Sequence, residues 1–393
     1  MQRKSVIVAA KRTPVGAFQG HLSSISPPDL AAIAIKHILK ETQIQPDQID
    51  EIIMGNVLTS GQGQAPARQA ALNSGCPKSI EALTINKMCG SGLKAVMLAD
   101  QAIRCGDVAT VLAGGMESMS NAPYLLRNAR GGQRLGHGTL IDSMIHDGLW
   151  DVYSNKHMGT CAEMLATDRN YSREAQDAYA IESYRRAQNA QAKGVFKSEI
   201  VPVDVPKRKG DPVIIKEDEE PGKAQFDKIP ILRPVFEKDG TITAANASKL
   251  NDGAAALLIT SEDQAKEMDL EPLAAIVAQA SAAHEPEWFT TAPGKAIGKV
   301  LDVSGLSVGD IDLWEINEAF SAVAMAAMDD YEIAHEKVNV YGGAVALGHP
   351  IGASGARILT TLLNGMYRKN SKFGLATLCI GGGEASALIV EKI

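Results

Sequence analysis

Cysteine is scarce and poorly placed for pairing. Cys76, Cys89, Cys105, Cys161 and Cys379 are spread along 393 residues, and no two form a Cys-x-x-Cys pair. An odd count leaves at least one thiol free, which excludes a fully paired disulfide framework and points to a reducing compartment. No His/Cys cluster has zinc-ligand spacing, so no transition-metal site is expected. Basic charge is also short: 39 Lys and Arg stand against 46 Asp and Glu, a net charge of -7. A general nucleic-acid binder would carry a basic face and is disfavoured, although a local basic patch can still receive a phosphorylated ligand. No uninterrupted apolar run approaches the ~20 residues that span a bilayer, so no membrane segment is expected. Residues 1–4 are basic and residues 5–10 apolar, the outline of a signal peptide, but Lys11 and Arg12 end the run early. A short buried strand fits better, and a cytoplasmic location is expected; a mature matrix protein would read the same way.

With 45% hydrophobic and 22% charged residues, the chain has the composition of a globular protein. Its length allows two or three domains with substantial cores. Residues 5–9, 49–54, 84–88 and 108–113 read as strands. Residues 28–40, a stretch from Pro66, and a stretch from Leu93 to Gly106 read as helices, the last through Leu93, Val96, Met97 and Ile103. This alternation implies α/β architecture with parallel, doubly wound sheets. Residues 118–249 differ: they are more polar, with Gly131-Gly132, the acidic run Glu217-Asp218-Glu219-Glu220 and an amphipathic helix over 173–193. They read as an insertion between two α/β halves. Alternation resumes with strands at 254–260, 273–280 and 311–315 and helices at 293–301 and 352–364. A cysteine followed by glycines after a strand recurs at Cys89 and Cys379, a weak sign of internal duplication.

Cys89 of Cys89-Gly90-Ser91-Gly92 sits where a strand turns into a helix. The positive helix end is expected to lower its thiol pKa, and free N–H groups among the glycines can bind an oxyanion. A buried structural cysteine is the competing reading. Cys76, Cys105 and Cys161 lack this context and read as structural. His349 lies in the run of small residues Gly342 to Gly355, where a tightly held imidazole can accept a proton or donate to a developing oxyanion; the bland alternative is a tight turn with an exposed histidine. Cys379-Ile380-Gly381 offers a second thiol. Asn317-Glu318-Ala319-Phe320, after a strand, also reads as an ordinary helix start with Asn317 as N-cap.

Together these segments resemble the thiolase family. The order Cys-Gly-Ser-Gly, Asn-Glu-Ala-Phe, Gly-His-Pro, Cys-x-Gly runs over nearly the whole chain, joined by Arg12-Thr13-Pro14, residues 114–120 and Asn251-Asp252-Gly253. The resemblance implies a thiolase fold: two similar βαβαβ-type halves with parallel or mixed sheets sandwiching helices, plus an inserted loop domain. Residues 1–118 would form the N-terminal half, with 250–270 returning to it. Residues 119–249 would form the domain for coenzyme A binding and tetramerisation, and 271–393 the C-terminal half. Cys89 would attack an acyl-CoA thioester with His349 taking its proton, and Cys379 would deprotonate a second acetyl-CoA. Asn317 would hold a water beside His349, and the N–H groups of Cys89 and Gly381 would bind the oxyanion. Acetyl-CoA, acetoacetyl-CoA and coenzyme A are the implied substrates and products, with no further cofactor required and a homotetramer as the assembly.

The resemblance also implies substrate contacts. His157 and Met158 match the short-chain, acetoacetyl-CoA type, and Phe236, Ser248, Ala319 and Phe320, with Leu149 nearby, would surround pantetheine. Lys223 and Lys228 are candidate phosphate partners, weighed equally against a solvated charged loop. Residues 243–248 with 181–184 resemble potassium-activated members, which would place an ion among Tyr184 and the carbonyls of Ala244, Ala245, Ala247 and Val345. Glu384 departs from the family pattern beside Cys379, as do residues 223–225 in the nucleotide region. The alternatives are a 3-ketoacyl-CoA thiolase of fatty-acid oxidation and an inactive acyl-CoA carrier.

Overall fold

The computed structural model describes residues 3–393; Met1 and Gln2, part of the basic start noted above, lie outside the described residues. The first half contributes β1 (Ser5–Arg12), β2 (Glu51–Gly55), β3 (Glu81–Ile85), β4 (Thr110–Ser118) and β5 (Asn251–Ser261). The second contributes β6 (Ala274–Ala283), β7 (Leu313–Ile316), β8 (Phe373–Ile380) and β9 (Glu384–Lys392). With the short strand Gly16–Ala17, which pairs with β5, these form one ten-stranded sheet among the described residues, in the order β7-β8-β9-β6-β1-β5-β4-β2-β3. Read outward from the β1–β6 contact, the halves repeat each other: β1-β5-β4-β2 on one side, β6-β9-β8-β7 on the other. Their pairing senses agree strand for strand. The duplication hinted at by the two cysteine–glycine turns is therefore plain in the topology.

Wholly parallel sheets are not what forms. Only β2–β3, β2–β4 and β7–β8 run parallel. The remaining pairs are antiparallel. The physical reason is connectivity. Parallel neighbours need a crossover, supplied here by helices α2 (Pro66–Asn73) and α3 (Ser91–Cys105). Strand β8 instead returns directly as β9 through a three-glycine turn, in which Gly382 and Gly383 have positive φ of 93° and 82°. Strands β4 and β5 are adjacent and antiparallel because the segment between Ser118 and Asn251 leaves the sheet and comes back to its neighbouring position.

Helices fill three layers. An outer layer of α1 (Pro27–Thr42) and α2 buries Leu30, Ile35, Ile38 and Ala70 against the first half. Ser26 starts α1 by accepting from the Asp29 N–H, with Pro27 and Pro28 preset for the first turn. The other outer layer is α6 (Ala292–Ser304) with α7 (Ser321–Tyr331), packed through Ile297, Val300 and Ala324. Between the two halves lie α3 and α8 (Ser354–Lys369), whose Leu93, Val96, Ile358 and Leu362 share one core with β strands of both halves. The insertion adds α4 (Met158–Asp168) and α5 (Arg173–Ala192) and three short hairpins.

The central pair of helices crosses on glycine. A Cβ at Gly92 would lie 2.8 Å from the Ala356 nitrogen, and one at Gly355 only 2.3 Å from the Leu93 nitrogen. No side chain fits between the first turns of α3 and α8. Cys89 immediately precedes one of those turns and His349 precedes the other, so this approach sets the active-site geometry.

Candidate active site

Cys89 follows Met88, whose φ of 45° is costly for a side chain with a Cβ. The turn is fixed by Ser91, whose hydroxyl donates to the Met88 carbonyl and accepts from the Lys87 N–H. Gly90 is needed because a Cβ there would sit 2.3 Å from the Ile380 Cδ1. Lys87 also pairs with Glu384, tying this turn to the β8–β9 hairpin. Glu384 thus has a definite partner on the far side of the site.

The helix end does not lower the Cys89 thiol. Burial pushes it up to about 11, against the pull of the Gly381 and Cys89 N–H groups directed at the sulfur, with the Glu117 charge adding to the rise. The expectation of a low-pKa thiol fails because desolvation outweighs those two N–H groups. Cys379, on β8, is fully buried and held well above the usual thiol range by burial and then by the proximity of Cys89.

His349 is buried rather than exposed. Its N–H donates to Asn251 Oδ1 at 2.8 Å, and Gly348, with φ of 107°, is required there because a Cβ would collide with Asn251. Its Nδ1 lies 2.6 Å from Ser354 Oγ, and that hydroxyl spends its only proton on the Pro350 carbonyl at 2.9 Å. With the Ser354 proton on the Pro350 carbonyl, Nδ1 carries the imidazole proton and Nε2 is left as a bare acceptor. Nε2 has no protein partner. Burial, then the Arg357 charge, lowers His349 to about 3, so the ring is neutral at physiological pH.

Asn317 is not a helix N-cap. Helix α7 begins four residues later at Ser321 behind Phe320, and Asn317 is 1% exposed with both side-chain polar atoms free of protein partners. Its N–H donates to the Thr377 carbonyl, two residues before Cys379. A buried amide in that condition is costly unless it serves a ligand or a water.

Cys89 and His349 border a cavity of about 400 Å³ with mostly apolar walls; Cys379 and Asn317 are buried behind its lining. Cys89, Gly381, Leu149, His157, Met158, Phe236, Ser248, Ala319, Phe320 and His349 all line it, as do Ala244 and Ala247. His157 caps α4 by accepting the Gly159 N–H on Nδ1 at 3.0 Å, and its ring stacks on Phe236 with centroids 4.8 Å apart. Gly159 has no room for a side chain beneath the Phe236 ring, a Cβ lying 2.3 Å from it. Ser248 donates its N–H to the Ala319 carbonyl, joining the insertion to the Asn317 loop.

Lys223 and Lys228 are not brought to this cavity. They border a neighbouring one of about 300 Å³ together with Tyr184, Ala244, Ala245 and Lys249. Lys223 is already paired with Glu219 at 2.9 Å. The second cavity lies where the potassium resemblance points, but the residues do not fit the ion. Lys249 Nζ donates to the carbonyls of Ala247 at 2.8 Å and Val345 at 3.3 Å, and stands 5.5 Å from the centre of the Tyr184 ring. A second unit charge ~4 Å away would be repelled by about 4 kcal/mol at an effective dielectric of ~20.

Several residues that build the site had no role assigned from the sequence, although Glu117 and Glu318 lie inside segments quoted above. Glu117 accepts the N–H groups of Val57, Leu58 and Gly352 and the amide of Asn56, which clamps the histidine loop to β4. Burial raises it to about 7 against those hydrogen bonds. Glu318 accepts from Tyr179, Ser183, Asn339 and the Val345 N–H. Acidic residues inside otherwise apolar stretches were the available signal for both; Ser354 and Lys249 had none.

A half-buried thiol, two amide donors directed at it and an unprotonated imidazole at one apolar cavity are the equipment of cysteine-dependent acyl transfer. Comparison with known proteins places the chain more narrowly. Residues 5–263 match the thiolase N-terminal domain and residues 270–392 the thiolase C-terminal domain. An acetyl-CoA acetyltransferase of Allochromatium vinosum is 50% identical over the full length of both proteins. One of Cupriavidus necator is 52% identical over 98% of this chain and 99% of its own length. A thiolase of Ascaris suum, crystallised in complex with coenzyme A, superposes over the whole of both chains with a TM-score of 0.95 at 45% identity. The chain belongs to the thiolase family.

Proposed function

We propose that this thiolase is an acetyl-CoA C-acetyltransferase, which condenses two acetyl-CoA reversibly to acetoacetyl-CoA and coenzyme A. The observation that carries the mechanism is the bare, buried Nε2 of His349 at the same cavity as Cys89. With Cys89 near 11 and His349 near 3, a resting thiolate–imidazolium pair is disfavoured. The proton therefore moves to His349 as the sulfur attacks the thioester carbon. The N–H groups of Cys89 and Gly381 receive the oxyanion, a role worth on the order of 100-fold or more in rate per donor.

The second proton transfer falls to Cys379, which lies close enough to Cys89 for their charges to interact. When the first coenzyme A leaves as a thiolate, a proton from Cys379 neutralises it and leaves Cys379 ionised. That high-pKa thiolate is then a strong base for the methyl group of the second acetyl-CoA. The carbanion attacks the acetyl group, Cys89 departs and regains its proton from His349. Asn317 holds a water that, with His349, supports the enolate oxygen. Leu149, His157, Met158, Phe236, Ser248, Ala319 and Phe320 form the pantetheine channel, and the His157–Phe236 stack limits its width.

The segment from 119 to 249 serves substrate binding and assembly. Tyr124, Leu135, Leu140 and Tyr153 are 65%, 98%, 63% and 75% exposed, which suits burial between subunits of a homotetramer. Among the described residues no helix is long and apolar enough to cross a membrane, and a cytoplasmic site of action is proposed.

The decisive assay is thiolysis with free coenzyme A, comparing kcat/KM for acetoacetyl-CoA and a ten-carbon 3-ketoacyl-CoA. Strong preference for acetoacetyl-CoA is expected. Equal or better use of the longer substrate would assign the chain to fatty-acid oxidation, and no turnover of either would refute the enzymatic reading.

A further inference from the structure

Lys249 follows Ser248 and stands in the wall between the two cavities, bordering both. One of its acceptors, the Ala247 carbonyl, belongs to the substrate side: Ala247 bridges to Phe320, and Ser248 holds Ala319. The other, the Val345 carbonyl, belongs to the short helix Ala344–Leu347 that leads into Gly348 and His349. The Val345 peptide is held at both ends, its N–H by Glu318 and its carbonyl by Lys249. Burial lowers Lys249 to about 8 against the opposing charges of Glu220 and Glu318, which leaves the ammonium as the main form at pH 7. Tyr184 contributes its ring face to the cation.

We propose that the ammonium of Lys249 is the resident cation of this carbonyl cluster, positioning the His349 loop against the pantetheine loop and making turnover independent of potassium. This rests on the thiolase reading of the cavity. Lys249 is a positioning residue: it orders two loops around the reacting groups and takes no part in proton transfer. The same bridge in a protein with a neutral residue at this position would need a free monovalent ion to draw the two carbonyls together.

The test is thiolysis of acetoacetyl-CoA by the full chain at matched ionic strength in potassium, sodium or tetramethylammonium chloride. Rates within about twofold of one another are expected, because the ammonium cannot be exchanged. Activation by potassium several-fold above sodium overturns the proposal, while absence of turnover in every salt overturns the functional reading and the proposal with it. Lys249→Ala should lower kcat about 10-fold or more through looser positioning, with potassium or ammonium ions restoring part of the loss and sodium less. Lys249→Arg should retain more activity than Lys249→Ala in sodium. A Lys249→Ala protein that melts like the parent and keeps its kcat within about twofold in sodium overturns the proposal. If that variant does not fold, the salt comparison on the parent chain still decides.

Discussion

Replacing Ser354 by alanine isolates the hydrogen bond that sets the tautomer of His349. The hydroxyl has two partners. One is the Pro350 carbonyl, which also accepts the N–H groups of Ala353 and Ser354 at 2.9 Å each and so remains satisfied in the variant. The other is His349 Nδ1, which would lose its hydrogen-bond partner inside a buried site. A buried donor without an acceptor costs about 1–3 kcal/mol. The ring escapes part of that cost by moving its proton to Nε2, the atom that has to accept the Cys89 proton. In either case the transition state, in which the imidazole becomes cationic and Nδ1–H needs its acceptor most, is destabilised by about 2 kcal/mol, roughly 30-fold in kcat. Ser354 does not line the cavity, so KM should change little. The assay is steady-state thiolysis of acetoacetyl-CoA, with thermal melting to show that the variant is folded. A folded variant with kcat within about twofold of the parent would refute the tautomer argument.

Four other outcomes follow from the geometry. Iodoacetamide should label Cys89 slowly at pH 7, faster as pH rises towards its pKa of about 11, and more slowly when acetyl-CoA is present; a rate that levels off below pH 8 would contradict a thiol raised by burial. Gly355→Ala forces a Cβ to 2.3 Å from the Leu93 backbone and should lower urea-unfolding stability by about 1–3 kcal/mol. Gly222→Ala, with nothing within 4 Å of the added Cβ, should stay within about 0.5 kcal/mol of the parent. His157→Ala removes both the cap of α4 and the partner of Phe236; a stability loss of about 1 kcal/mol is expected. It should also bring a relative gain in kcat/KM for longer 3-ketoacyl-CoA substrates, and an unchanged chain-length preference would show that this wall does not limit the channel.

The parts of the site that were legible in the sequence are those whose residue types are themselves unusual. Cys89 and His349 announced themselves through glycines, and the structure shows why: Gly90, Gly92, Gly348 and Gly355 each face a neighbour that a Cβ would strike. The alternation of strands and helices gave the architecture but not the strand directions, because β4 and β5 become neighbours only through an insertion of more than a hundred residues whose path leaves no periodic signal. The expected low thiol pKa failed because burial depends on what closes over Cys89 from distant parts of the chain. Lys249 escaped notice for a related reason. Its acceptors are main-chain carbonyls, which any residue supplies, so nothing at Ala247 or Val345 marks them as partners.

The central claim is that Cys89 carries the acyl group between two coenzyme A molecules. Incubation with acetyl-CoA in the absence of free coenzyme A, rapid acid quench and peptide mass spectrometry tests it directly. The account predicts one acetyl group on the peptide containing Cys89, lost when acetyl-CoA is chased with coenzyme A and absent from Cys89→Ala. An acetyl group found on Cys379 instead, or turnover that persists in Cys89→Ala, would contradict it.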